Sequence, residues 1–253
     1  MTFLLTLVAF AAAALQPADF LREEDNDLLD FAYGWPAEVE RQPRLRALLT
    51  QDMERAHREA VDIANETRSA RGGNYHTQFY SKVWQRAGST PQLLSLYAAT
   101  GMDTGGAHPN TTYGAMLWDA QADRATEVTI LLGPAIEAMA PRYCATLDAD
   151  RAQRRQEPVV ADPDDPFTIC PPLSEQVIAP ADRDGNGRFD TLQVLLAPYI
   201  AGPYVEGDYE VELRFQAGEL TAVPANYRPS FEVPGPDFRP LPREGEEIPA
   251  ETP

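Results

Sequence analysis

The sequence predicts an α+β fold, an antiparallel sheet against which one long helix packs. Three observations lead there. Short alternating or apolar runs flank a single long stretch of helical periodicity from Pro43 to Thr67. A second helical stretch from Pro134 separates these runs from a later group of strand-like runs. Finally, 43% of the 253 residues are hydrophobic, enough to bury a sizeable core.

The N-terminus, "MTFLLTLVAFAAAALQPADF", holds an apolar stretch from Phe3 to Leu15, shorter than the roughly 20 residues that span a bilayer. Ala12 and Ala14 form an A-x-A-like cleavage site, so residues 1–14 read as a signal peptide, although no Lys or Arg precedes the apolar run. Export to the periplasm or beyond is the expectation, with no membrane span elsewhere.

"LLDFAYGW" (residues 28–35) reads as a strand ended by Pro36. In the helix that follows, Leu45, Leu48, Leu49, Met53, Ala56, Ala60 and Ile63 recur along one face. Gly72 and Gly73 end it. "NYHTQFYSKVWQRA" then alternates as a strand, "GST" turns the chain back, and Gln92 to Met102 forms the next strand. "GGAHPN" (residues 105–110) connects to a third, "TTYGAMLWDA". The second helix, from Pro134, is expected to be interrupted at Pro141. Three late runs read as paired hairpins: "LSEQVIAP", "RFDTLQVLLAPYIAGPYVEG" and "DYEVELRF". Residues 223–253 are rich in proline and acid, and read as a disordered tail.

The net charge of −18 excludes DNA or RNA as the main partner, because phosphate binding needs a cationic surface. It also speeds encounter with basic proteins. Lys82 is the only lysine. Cys144 and Cys170, an even pair in an oxidising compartment, are expected to form a disulfide that constrains the unfolded chain by roughly 3–4 kcal/mol. No other Cys or His stands at ligand spacing, so these thiols are not expected to hold a metal.

No nucleophile elbow, H-E-x-x-H, C-x-x-C or glycine-rich phosphate loop occurs. The three histidines are His57, His76 and His108. His57 sits near Arg55 and Arg58 and reads as a solvated helix residue. His108 invites an acid–base role oriented by Asp103 or Asp119. The competing reading makes "GGAHPN" a strand connection in which Gly105 and Gly106 permit the turn, with His108 and Asn110 on a binding surface. "DRDGNGRFD" matches the first half of an EF-hand loop through Asp182, Asp184, Asn186 and Asp190, a candidate calcium site. Its twelfth position is Gln193, and its flanks are strand-like, so a polar turn is the competing reading. Trp35, Trp84 and Trp118 are expected in the core.

"YAATGMDTGGAHPN", the strand ending at Asp119, and "APYIAGPYVEGDYEVEL" together resemble the PdaC/RsiV-like extracytoplasmic module, from about Leu28 to Phe215. This module is shared by a bacterial anti-sigma factor and the non-catalytic part of a peptidoglycan deacetylase. The most specific matches are Gly-Gly-Ala-His-Pro and Pro203-Tyr204-x-x-Gly207. The resemblance implies two consecutive halves, PdaC-like (28–102) then RsiV-like (103–216), the latter with a Cys-containing helical insertion. It also implies an exported, non-enzymatic binding or sensing module for a basic protein such as C-type lysozyme, or for a cell-wall component. No sigma-binding segment or deacetylase domain is evident, and no catalytic residue is carried over. The alternative is a cell-wall glycan hydrolase or deacylase using His108 with nearby carboxylates.

Overall fold

The structure, a computed structural model, describes residues 19–241. The expected signal peptide lies outside the described residues, as do residues 242–253 of the expected tail. Among the described residues, no helix is long and apolar enough to cross a membrane.

The chain runs through β1 (Phe20–Asp25), β2 (Leu29–Trp35), α1 (Pro43–Arg71), β3 (Gln78–Ser89), β4 (Leu93–Asp103), β5 (Asn110–Asp119) and β6 (Arg124–Thr126). There follow α2 (Val128–Leu132), α3 (Pro134–Arg155), β7 (Val177–Ala181), β8 (Thr191–Leu196), β9 (Tyr209–Arg214) and α4 (Ala217–Leu220). The strands form a six-stranded sheet, β1-β2-β3-β4-β5-β6, and a three-stranded antiparallel sheet, β7-β8-β9. The α+β class stands, with one difference: β2 and β3 pair in parallel. A strand–helix–strand crossover explains this, because α1 returns the chain to the end of the sheet where β2 began. The boundary expected at residues 102/103 falls at the end of β4, inside the β4–β5 hairpin, so the first sheet continues to Thr126.

Leu45, Leu49, Met53, Ala56, Ala60 and Ala64 form the buried stripe of α1, while Leu48 and Ile63 stay 41% exposed. That stripe covers Phe31, Tyr33, Trp84, Leu96 and Trp118 on one face of the large sheet. Trp35, Trp84 and Trp118 are all core, as the sequence led one to expect. Lys82 reaches Asp52 of α1 (2.7 Å), whose carboxylate also accepts from the Tyr33 hydroxyl (2.6 Å). His57 is not a solvated residue. Its Nε2 lies 2.7 Å from Glu24, and its ring meets Phe31 edge-on, so it clips edge strand β1 to the helix.

The second core lies between α3 and the small sheet, with Met139, Tyr143, Leu147, Val194, Tyr209 and Val211 at its centre. α3 is continuous through Pro141, contrary to the expected interruption. Pro141 and Glu137 both face solvent, so the carbonyl that loses its intrahelical bond has water available. β7 joins the two sheets: a bulge in β3 between Arg86 and Gly88 leaves the Ala87 carbonyl to accept from Asp182 N at 3.1 Å. Gly88 is required there, since a Cβ would lie 2.7 Å from that same nitrogen.

Residues 223–241, expected to be disordered, are packed. Val223 and Phe231 are 1% exposed in the second core, and Phe231 bridges to Phe189. Tyr227 donates to Asp119 at 2.7 Å, and Leu241 N reaches the Arg183 carbonyl. Spaced aromatic and aliphatic anchors give this proline-rich segment enough apolar burial to order it without regular structure.

Candidate functional site

The site is built from the β4–β5 hairpin tip and the loop between β8 and β9. Gly105 turns the tip with φ +80, and a Cβ there would press on Thr67 and Arg71 of α1. Arg71 donates to the Gly105 carbonyl, and Asp103 Oδ1 accepts from Gly105 N at 2.7 Å. Gly106 and His108 are exposed, and Asn110 opens β5 opposite Met102. The structure therefore makes "GGAHPN" a strand connection with a solvent-facing tip.

The His108 ring stacks on Tyr204, with centroids 3.8 Å apart and planes 22° from parallel. Tyr204 donates its hydroxyl to the Pro109 carbonyl at 2.9 Å. His108 Nε2 lies 3.2 Å from the Tyr199 hydroxyl. The two segments quoted above as the most specific therefore meet in space, although 95 residues separate Tyr204 from Pro109. Around the three rings, Tyr199 is 50%, Ile200 43% and Val205 90% exposed.

The loop beneath this patch is held rigidly by α3. Arg151, fully buried, donates to the carbonyls of Ala201 (2.8 Å) and Ile169 (3.1 Å). Arg154 donates to the carbonyls of Glu206 (2.8 Å) and Asp208 (2.6 Å), and its guanidinium sits 3.9 Å over the Tyr209 ring. Arg155 grips both Glu206 carboxylate oxygens at 2.9 Å. Burial pushes the Glu206 carboxyl up, but hydrogen bonds from Arg155 and Tyr209 outweigh it and hold the group below its usual range. Burial, and then the bond to Glu206, push Tyr209 up to about 12, so it stays a donor. Tyr113 of β5 donates to Asp208 at 2.5 Å, tying the loop to the large sheet. Tyr199 has φ +71, an orientation that costs a non-glycine residue about 1–2 kcal/mol and that this anchored loop sustains.

The acid–base arrangement considered for His108 is not what the structure brings together. Pro109 O can only accept, so Nδ1, 2.9 Å away, donates to it. In the neutral ring Nε2 then carries the lone pair, and the Tyr199 hydroxyl supplies a proton to it. Asp103 binds Gly105 N and His76 (3.2 Å) instead. Asp119 lies at the far end of β5, about 30 Å along the strand from the hairpin tip. It is buried and accepts from Tyr227, Gln121 and Ala122.

Asp182, Asp184 and Asp190 bring carboxylate oxygens within 4.8 Å of one another. They are oxygen donors of the kind calcium takes. Each also accepts from the loop's own amides: Asp182 from Gly185, Asn186 and Gly187, Asp184 from Asn186, and Asp190 from Arg183 and Asp184. Asn186 Oδ1 accepts from Arg188 N. Gln193, at the twelfth position, lies in β8 and donates to Glu210 at 2.7 Å. Burial holds the Asp190 carboxyl above its ordinary value. Cys144 and Cys170 form a disulfide with Cα atoms 5.6 Å apart, fastening α3 to the segment that precedes β7.

Sequence reasoning missed Tyr199 and the three arginines. A signal for Tyr199 existed in the doubled Pro-Tyr of "APYIAGPY". The arginines had none, because α3 carries them among other charges.

No family model and no curated protein matches the chain. Among solved structures, it is similar to a DUF3298 family protein from Pseudomonas aeruginosa PAO1, at 16% identity and TM-score 0.47, covering 81% of this chain and 90% of that one. It is also similar to a DUF3298 member from Bacteroides fragilis NCTC 9343, at 14% identity and TM-score 0.44, covering 79% and 90%.

Proposed function

We infer that the chain is an exported, non-enzymatic binding or sensing module of the PdaC/RsiV-like kind. Its docking surface is the His108–Tyr199–Tyr204 patch, and its partner is a basic protein of the C-type lysozyme class. One observation carries this reading: the two segments most specific to the resemblance converge on an exposed aromatic patch over an arginine-clamped loop. Rigid aromatic anchors of this kind supply much of the energy of protein interfaces. The −18 charge supports a basic partner, since opposite charge speeds association while the anchors set specificity.

The test titrates the chain from Leu15 with a C-type lysozyme at low and physiological salt, beside an unrelated protein of equal basic charge. Salt-resistant binding that is absent for the control and lost in Tyr204→Ala supports the reading. Binding that fades with salt and matches the control assigns it to net charge. Turnover of peptidoglycan fragments that vanishes in a folded His108→Ala variant would establish the hydrolase alternative instead.

A further inference from the structure

We propose that edge strand β1 is a docking site for an extended basic segment of another protein, which joins the six-stranded sheet as a further strand. Asn26 N donates to the Leu29 carbonyl, and the β1–β2 register then runs without a bulge from Asp25↔Asp30 to Phe20↔Trp35. Antiparallel pairs alternate, so Glu24, Arg22 and Phe20 exchange hydrogen bonds with β2, while Leu21, Glu23 and Asp25 turn their N–H and C=O groups outwards. None of these outward groups has a partner among the described residues. The other sheet edges are short or closed. β6 has three residues, and β7 turns to β3 through Asp182. At β9, Arg154 and Arg142 cap the carbonyls of Asp208 and Arg214.

The open edge is held in place. Phe20 stacks on Trp35 with centroids 3.9 Å apart, Arg22 lies over the Phe31 ring, and Glu24 meets His57 at 2.7 Å, so these three side chains serve the helix face. A fixed row of alternating donors and acceptors specifies an extended backbone as its occupant. Charge specifies the side chains. Leu21, Glu23 and Asp25 are exposed on the opposite face, where Asp25 stands directly across from exposed Asp30. Glu23, Asp25 and Asp30 have no ion-pair partner among the described residues. Like charges set opposite one another destabilise a sheet, and a basic side chain beside them relieves that cost. Proline, lysine and bulges, which block edges against any strand, are missing from β1. Its carboxylates guard selectively instead: they repel a second copy of β1 and attract a basic strand.

The test titrates the ¹⁵N-labelled full chain with the end-blocked peptide Thr-Arg-Thr-Lys-Thr-Val-Thr at physiological salt. In antiparallel register its arginine, lysine and valine fall opposite Asp25, Glu23 and Leu21. A second probe is the same peptide N-methylated at those three residues, which keeps the charge and loses the N–H groups that face β1. The Leu21, Glu23 and Asp25 amides are expected to shift saturably and to exchange more slowly with the first peptide. The N-methylated peptide is expected to bind at least about ten-fold more weakly. Glu23→Pro removes one outward donor at an edge, where proline is tolerated, and should weaken binding likewise. Combined Glu23→Lys and Asp25→Lys should transfer the preference to a peptide with glutamates in place of the arginine and lysine. Equal binding of the N-methylated peptide would assign the effect to charge alone and overturn the proposal. Shifts that miss β1, or no shifts at all, overturn it too. β1 carries none of the residues of the docking surface inferred above, so the two readings fail separately.

Discussion

Tyr204 lies flat against His108 while its hydroxyl donates to the carbonyl of Pro109, the same oxygen that accepts from His108 Nδ1, so one side chain holds both the histidine ring and the carbonyl to which that ring is bonded. Ring stacking and hydrogen bonding are separable here. Tyr204→Phe keeps the stack and loses the hydrogen bond, at a cost of about 1 kcal/mol. Tyr204→Ala loses both, about 1 kcal/mol more, and removes an aromatic anchor. Urea unfolding measures the two steps. Lysozyme titration is expected to show near-normal affinity for the first variant and at least about ten-fold weaker binding for the second.

Asp119 and Tyr227 make an acid-sensitive fastening for the C-terminal segment. Burial raises the Asp119 carboxyl, but hydrogen bonds from Tyr227, the Ala122 and Gln121 amides and Gln92 outweigh it and leave the group below its usual value. A carboxyl lowered by folding stabilises the native state above its unfolded pKa, about 3.9, and that stability is lost as pH falls through the folded value. Tyr227→Phe is expected to cost about 1.5–3 kcal/mol at pH 7, a bond to a charged group. The difference from wild type should shrink in unfolding measured below about pH 4. An undiminished difference at acid pH would show that the bond does not depend on the ionised carboxylate.

Removing the disulfide should weaken the second core. With Cys144 and Cys170 separated by 26 residues, the double substitution to serine is expected to cost about 3–4 kcal/mol in denaturant unfolding. Helical circular dichroism should persist below the transition, because Arg151 and Arg155 still hold the carbonyls of Ile169 and Phe167.

The Asp182–Asp190 loop closes on its own amides, so its fold does not wait for an ion. Melting in calcium and in chelator is expected to coincide. A rise with calcium that disappears in Asp184→Asn would establish the site through the remaining carboxylate lone pairs.

The sequence by itself determined the α+β class, the long helix, the tryptophans of the core and the pairing of the only two cysteines, because periodicity and residue type act locally. It also marked Gly105, His108 and Tyr204. Short polar strands such as β1 and β6 escaped, since edge strands bury too little to carry a pattern. Only tertiary structure decided that β2 and β3 run parallel, that Phe231 draws a proline-rich segment into the core, and that His108 meets Tyr199 and Tyr204. Each of these depends on surfaces brought together across many residues. Local periodicity cannot encode such contacts, and apolar burial and hydrogen bonding in the folded chain supply them.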